Sequence, residues 1–217
     1  SFPTRRSSDL WNRAEERLSS SISRMAEALG IFLPHNVFTR KRADVRGSSI
    51  HLQGFIKHLA TQGNEQKIFA NKKGGGKPEY AIVILLDISA SMMQGRKQSC
   101  ALETVFLLVS ALKQMNIQNF SVVLFGQGLY PVKLPDMMWE GLSIAALLSL
   151  VLHQHEPSTM DADALMFSAE LLETSGLRGP KKVFVISDGY GSSGVRLAGA
   201  LEKLRESGID VLAMGVG

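Results

Sequence analysis

Cysteine is almost absent from this sequence of 217 residues, which contains Cys100 alone. A single cysteine excludes an internal disulfide and is typical of a protein from a reducing compartment. Because Cys100 falls within a helical pattern, we interpret it as a small core residue rather than a nucleophile. We therefore expect an intracellular protein, located in the cytoplasm, or in the nucleus if the source is eukaryotic.

Long apolar runs are missing as well. No run approaches the roughly 18 residues that a membrane-spanning helix needs, so we expect no membrane partner. Hydrophobic residues make up 45% of the chain and charged residues 20%, which excludes a disordered protein and indicates a globular one.

Several catalytic motifs are incomplete. The sequence NKKGGGKP at 71–78 lacks the first glycine and the closing Ser or Thr of a Walker A loop. A haloacid-dehalogenase-type phosphatase would have an aspartate at Ser89, and a nucleophile elbow around Ser187 would have a glycine at Val185. With no general base or activated nucleophile identified, we expect a binding protein and not an enzyme.

Charge is distributed unevenly along the chain, whose net charge is +4. Residues 1–80 contain 14 Lys/Arg against 7 Asp/Glu, whereas residues 81–217 contain 10 against 13. A basic segment can bind nucleic acid, but this one carries no nucleic-acid-binding signature. Its apolar helical faces predict instead that residues 11–60 pack on the domain or on sequence further upstream.

The first ten residues differ in character from those that follow. The sequence SFPTRRSSDL at 1–10 can be back-translated into a common sequencing-adapter oligonucleotide, so we treat it as an assembly artefact. We expect a helical basic lead-in segment at 11–78 and an α/β domain at 79–217. The domain is expected to be truncated at its C-terminus, because the chain stops at a strand's tip.

Hydrophobic periodicity predicts alternating strands and helices after residue 80. Strands are predicted at 81–86, 120–125, 129–134, 182–186 and 209–216, and helices at 98–114, 142–152, 161–172 and 195–206. The lead-in is predicted to contain helices at 11–29 and 50–60 and an edge strand at 67–70. We expect an α/β fold with a doubly wound, mostly parallel sheet and one antiparallel edge strand.

Oxygen-bearing side chains recur where predicted strands end or helices begin. They are Asp87, Ser89 and Ser91 after the first buried strand, Thr159 before a helix, and Asp188 after the strand expected beside the first. Because open α/β sheets bind ligands at the carboxyl ends of their strands, we expect these five side chains to meet. Hydroxyls and carboxylates are hard ligands, which predicts a site for Mg2+, with Mn2+ as a second choice.

Two other interpretations stay open from the residues alone. A short D-x-S-x-S pattern also fits a strand end whose Asp and Ser cap the next helix. The helix at 161–172 is expected to be capped near Thr159 or Asp161. His153 and His155 could hold a softer metal. His51 and His58 lie seven residues apart, so we interpret them as surface or packing residues.

Three segments resemble the von Willebrand factor A domain with its metal-ion-dependent adhesion site. They are DISAS at 87–91, STMDADAL at 158–165 and VISDG at 185–189. The resemblance covers residues 79–217. It implies that the five oxygen ligands bind Mg2+ and that the ion accepts an Asp or Glu carboxylate of a partner protein. The family's loop commonly has two glycines where Pro157 and Ser158 stand here.

The flanking sequence narrows this resemblance. Residues 25–91 are similar to the lead-in of the terminal adhesion-site domain in the midasin family of AAA+ ATPases. They share, in order, a helix, a Pro-containing stretch, a basic stretch, a short helix and a Lys-Ile-Phe strand. The resemblance implies an AAA+ ATPase in cis or in trans and a compact partner such as a ubiquitin-like domain. Von Willebrand-type subunits of cobalt and magnesium chelatases share much of the pattern, so a chelatase subunit is the alternative.

Overall fold

The computed structural model describes residues 2–33, 42–46, 49–61, 63–64, 66–71, 79–153, 158–177, 179–189 and 194–216. Its elements follow in the order α1 (Phe2–Arg17), α2 (Ser19–Phe32), β1 (Arg42–Asp44), β2 (Ser49–Ile50), α3 (Leu52–Ala60), β3 (Phe69–Asn71), β4 (Ala81–Asp87), a 3-10 turn (Ala90–Met93), α4 (Lys97–Gln114), β5 (Phe120–Phe125), β6 (Leu129–Lys133), α5 (Gly141–His153), α6 (Asp161–Thr174), β7 (Lys181–Ser187), α7 (Gly194–Glu206) and β8 (Ile209–Gly215). Across these described ranges, no helix is long and apolar enough to span a membrane.

Contacts divide the chain into two compact units. The larger unit comprises Ser1–Phe32 and Glu79–Gly217, and the smaller unit comprises Leu33–Pro78. The lead-in segment therefore contributes α1 and α2 to the larger unit. The helix predicted at 11–29 is formed by the end of α1 and most of α2, which meet at Leu18. Helical hydrogen bonds continue across this residue, because the Leu18 N–H donates to the Ala14 carbonyl and the Leu18 carbonyl accepts the Ile22 N–H, both at 2.9 Å.

The larger unit is built on a five-stranded sheet of order β6-β5-β4-β7-β8. The central strand β4 is parallel to β5 and β7, and β8 is parallel to β7. At one edge, β6 runs antiparallel to β5. The predicted α/β fold with a mostly parallel sheet and one antiparallel edge strand is confirmed. Each strand begins and ends within one residue of its prediction. For β4 and β5 the reason is that strands buried on both faces form continuous apolar runs.

Helices cover both faces of this sheet. On one face, α6 packs on alternate residues of β4 and α7 packs on β8 and α6, in a core cluster that includes Val83, Leu85, Leu165, Leu172 and Leu204. The intervening residues of β4 point to the opposite face, where α4 contacts β4 and β7. Every residue of β4 and β5 is consequently buried. This rigid layer fixes the positions at which the parallel strands end.

The helices α1 and α2 pack on α5 and α4, in part through an aromatic cluster. The Trp11 ring lies 4.6 Å from that of Phe106 and 5.3 Å from that of Trp139, measured between centroids. The Glu15 carboxylate accepts hydrogen bonds from Trp11 Nε1 and from Lys113 Nζ at 3.0 and 2.9 Å. Residues 11–32 thus pack on the domain, as expected from their apolar faces.

The smaller unit contains α3 and a three-stranded antiparallel sheet of order β1-β3-β2. The prediction of an edge strand at 67–70 was wrong, because β3 lies between two strands too short to show periodicity. His51 caps α3 by accepting the Gly54 N–H at 3.1 Å, so it has a structural role. A Cβ at Gly54 would lie 2.2 Å from the Lys67 carbonyl oxygen, which restricts this position to glycine. The basic residues at 38–41 and the glycine-rich loop at 72–78 lie outside the described residues.

Candidate metal centre

The carboxylate of Asp87 lies at the carboxyl end of the central strand β4 and is 2% exposed. Its Oδ1 accepts the Ser89 N–H at 2.8 Å, which turns the chain immediately after the strand. Its Oδ2 accepts the Ser187 hydroxyl at 2.8 Å, which joins the ends of β4 and β7. Both oxygens are therefore held in fixed positions within the sheet edge.

Two hydroxyls lie beside this carboxylate. Ser89 is buried and has an extended backbone, and Ser91 follows it in the 3-10 turn. Their Oγ atoms are 3.0 Å apart, so both hydroxyls face the same small volume. The Ile88 N–H donates to the Phe125 carbonyl at 2.9 Å, which anchors the turn to the end of β5.

Thr159 approaches the same edge from a different part of the chain. The N–H of the next residue, Met160, donates to the Gly126 carbonyl at 2.8 Å, just beyond the end of β5. The Thr159 Oγ1 is buried and has no hydrogen-bond partner among the described residues. The cap of α6 was expected near Thr159 or Asp161, and it lies between these two residues, with Asp161 Oδ1 accepting the Ala162 N–H at 2.7 Å. The N-cap residue is Met160, without a side-chain hydrogen bond, so the Thr159 hydroxyl is not used by the helix.

Asp188 follows β7 directly and lies beside the Asp87 end of the sheet, because β7 pairs with β4. Its side chain is 1% exposed, and its Oδ2 accepts a hydrogen bond from Lys97 Nζ at 2.9 Å. Lys97 is the first residue of α4. The second carboxylate is thus paired with a cation from a helix 91 residues earlier in the chain.

Burial dominates the electrostatics of this edge. Removal from water raises the pKa of the Asp87 carboxyl, and the negative charge of Asp188 acts in the same direction. Hydrogen bonds from Ser89 and Ser187 lower this pKa but do not cancel the effect of burial. A buried carboxylate whose charged form is disfavoured gains stability from a nearby positive charge.

Two contributors to this edge escaped prediction from the sequence. Ser187 donates to Asp87 and also accepts the Gly189 N–H at 3.1 Å, so it orients both aspartate-bearing segments. Lys97 neutralises Asp188. Neither has a local signal, because each contact depends on how β7 and α4 meet β4. The sequence signal for Ser187 was its position directly before the predicted ligand Asp188.

Other metal sites receive no support. In the part of the chain that the structure describes, no group of three His, Cys, Asp or Glu residues could hold a metal ion. A cation bound by the described residues at the sheet edge would consequently rely on serine and threonine hydroxyls. The side chains of His153 and His155 lie outside the described residues.

The family is identified by residues 81–217, which match the family model of the von Willebrand factor type A domain. The chain belongs to this family. The predicted membership is confirmed, and the segments that suggested it lie at the sheet edge described above. Pro157, which replaces a glycine of the family's usual loop, is outside the described residues.

The chain is also similar in sequence to two midasins. Midasin of Dictyostelium discoideum is 21% identical over 188 residues, and midasin of Giardia intestinalis is 27% identical over 162 residues. These alignments cover 84% and 73% of this chain but only 3% of each midasin. The predicted similarity to midasin is confirmed, and the chain spans a small part of the length of these relatives.

Solved structures share the fold. Proximal thread matrix protein 1 from the mussel byssus matches with a TM-score of 0.51 at 22% identity, over 64% of this chain and 37% of that one. A second structure of that protein, described as having a zinc-occupied MIDAS motif, matches with a TM-score of 0.52 at 21% identity, over 64% and 38%. At these identities the similarity establishes the von Willebrand fold alone.

Proposed function

We propose that this von Willebrand domain binds a divalent cation, Mg2+ or Mn2+, and uses it to bind a carboxylate of a partner protein. The observation that supports this most strongly is the buried Thr159 hydroxyl, which has no hydrogen-bond partner among the described residues. A buried hydroxyl without a partner lowers stability. A cation at the sheet edge would satisfy its oxygen.

The chemistry of the residues present fits such an ion. The proposed ligands are the carboxylates of Asp87 and Asp188 and the hydroxyls of Ser89, Ser91 and Thr159. All are hard oxygen donors, which suit Mg2+ and Mn2+ better than softer metals. The bound ion would supply positive charge for an incoming carboxylate. Charge-assisted contacts are roughly twice as strong as neutral ones, so a partner Asp or Glu is preferred over Asn or Gln.

The proposed setting is an AAA+ ATPase machine of the midasin type. The Dictyostelium midasin alignment spans 188 residues, more than residues 81–217 contain, so the similarity extends into the lead-in segment. This extension supports the midasin context over the chelatase alternative. The partner in that setting is a compact, acidic-residue-bearing domain, for which a ubiquitin-like domain is our first candidate. An intracellular location belongs to the same proposal.

Binding, and not catalysis, is the proposed activity. The nucleophile-elbow interpretation of Ser187 finds no support in the described contacts. Its hydroxyl donates to Asp87, which also accepts the Ser89 N–H, and its hydrogen bonds among the described residues are with Asp87 and Gly189 and not with a histidine. In this proposal the carboxylates and hydroxyls at the sheet edge act as ligands.

Calorimetric titration with Mg2+ tests the metal site. The wild-type chain is expected to bind one equivalent, and Asp87→Ala is expected to abolish binding while the protein stays folded. Asp210→Ala is the matched control, because this strand aspartate is 67% exposed and pairs with Lys182 at the amino-terminal ends of β7 and β8, opposite the proposed site. Equal Mg2+ affinity in the wild type and in Asp87→Ala would refute the site.

A partner test follows once a binding protein is identified. Binding should require Mg2+, and replacing one partner Asp or Glu by the matching amide should cost about 2–5 kcal/mol, as expected for a desolvated charged contact. Adding a chelator to that partner variant should weaken binding little further, because both changes remove the same interaction. Additive effects would contradict carboxylate binding at the metal.

A further inference from the structure

Lys97 brings a positive charge to the edge of the proposed metal centre. Its Nζ lies 2.9 Å from Asp188 Oδ2, and the lysine side chain is 20% exposed while that of the aspartate is 1% exposed. We propose that Lys97 is an internal cation that competes with the divalent ion for Asp188 and thereby sets the metal affinity of the domain. The inference rests on the metal site proposed above.

The burial of Asp188 distinguishes this ion pair from an ordinary surface contact. The Asp210 carboxylate, which pairs with Lys182, is 67% exposed and therefore surrounded by water and salt. Exposed pairs of that kind are screened and contribute little. A buried carboxylate, in contrast, interacts strongly with any cation that reaches it, so Lys97 and a divalent ion cannot approach Asp188 independently.

The position of Lys97 in α4 also indicates that its charge interacts with Asp188 and does not stabilise the helix. It occupies the first helical residue, and the first turn contains no acidic side chain. A positive charge there is repelled by the helix dipole, so Lys97 does not serve the stability of its own helix. The Nζ of Lys97 instead contacts Asp188, on a segment that follows β7.

The lysine is also able to leave. Its flexible stem carries a strongly hydrated ammonium group, and part of the side chain already reaches solvent. When a divalent ion binds beside Asp188, repulsion between the two cations favours the conformation in which the ammonium turns outward. Metal binding is thus coupled to release of Lys97 from the sheet edge.

Mg2+ calorimetry on charge variants tests the competition. Lys97→Gln should bind Mg2+ at least about tenfold more tightly than the wild type, because the substitution removes the electrostatic repulsion between the lysine ammonium and the ion. Lys97→Arg should stay within about threefold of the wild type, since the charge is retained. Lys113→Gln is the matched control: this lysine also forms an ion pair, with Glu15, and should leave Mg2+ affinity unchanged.

The outcomes separate this inference from the metal site itself. If Asp87→Ala abolishes binding and Lys97→Gln binds Mg2+ no more tightly than the wild type, the competition is overturned and the metal site stands. If Asp87→Ala binds Mg2+ as the wild type does, the site and the competition both fall.

A second measurement uses the wild-type protein, so it does not depend on how a variant folds. Acylation of lysine amines, quantified by mass spectrometry, is compared in chelator and in saturating Mg2+. We expect the labelling rate of Lys97 to rise severalfold with Mg2+ while that of Lys113 stays constant. An unchanged rate for Lys97 at saturating Mg2+ would show that the ion pair persists and would overturn the proposal.

Discussion

Replacing Thr159 by valine should make the protein more stable in the absence of metal and less responsive to metal. Valine has nearly the shape of threonine but no hydroxyl. The Thr159 Oγ1 is buried without a partner in the described residues, and such a hydroxyl costs about 1–3 kcal/mol in protein mutants. In chelator, the free energy of unfolding of Thr159→Val should therefore exceed that of the wild type by this amount. For a chain of this size, each kcal/mol corresponds to about 2–4 °C in Tm.

Added Mg2+ should reduce or reverse the stability advantage of Thr159→Val. A ligand at a hundred times its Kd stabilises the native state by about 2.7 kcal/mol. If losing one hydroxyl ligand weakens binding tenfold, the same Mg2+ concentration stabilises the variant by only about 1.4 kcal/mol. The difference between the two proteins should thus shrink or change sign when chelator is replaced by Mg2+.

Tryptophan fluorescence during urea denaturation is the assay, because both tryptophans, Trp11 and Trp139, lie in the larger unit. The control is Thr174→Val at the other end of α6, where the exposed hydroxyl donates to the Glu170 carbonyl. This control should stay within about 0.5 kcal/mol of the wild type in both conditions. A loss of stability for Thr159→Val in chelator, or an undiminished response to Mg2+, would refute the assignment of Thr159.

Three further predictions concern individual side chains. Burial raises the pKa of Asp87, so the fold disfavours its charged form. Asp87→Asn should therefore raise the free energy of unfolding in chelator by about 1 kcal/mol while abolishing metal binding. A lower free energy of unfolding for this variant in urea denaturation would contradict the prediction. Ser187→Ala removes the hydroxyl that orients Asp87 and should weaken Mg2+ binding about 10- to 100-fold by calorimetry, and an unchanged affinity would count against an orienting role. Burial lowers the pKa of Lys133 from 10.5 to about 8, so between these values the unfolded chain binds a proton that the native state has released, and stability rises with pH. The free energy of unfolding of the wild type relative to Lys133→Met should consequently increase by roughly 1 kcal/mol per pH unit between pH 8 and 10, and a difference that is constant over this range would contradict the burial effect.

The parallel sheet was predictable because its strands carry their own signal. Residues 81–86 and 120–125 are continuous apolar runs, and both are buried throughout in β4 and β5. The position of Asp188 beside the first strand also followed from topology, since β7 pairs directly with β4. Local pattern and global fold agree at these places.

The remainder depends on contacts between distant parts of the chain. β3 was placed at an edge because its neighbours β1 and β2 are too short to be recognised by periodicity. The Lys97–Asp188 and Ser187–Asp87 contacts join residues that are 91 and 100 positions apart. Local sequence patterns cover much shorter stretches, so they cannot relate the two partners of either contact. The absence of a cap at Thr159 likewise depends on how the loop is held by Gly126.

The most direct test of the metal site is a titration of the isotopically labelled protein with Mn2+, followed by amide NMR. Paramagnetic broadening should be strongest for the amides at the carboxyl ends of β4 and β7 and around Thr159. The amides of Ala81 and Lys181, at the opposite ends of these strands, should be much less affected. Asp87→Ala should abolish the pattern, and excess Mg2+ should compete it away. Broadening centred instead on the acidic side chains of α6, such as Asp163 and Glu170, would contradict the proposed site.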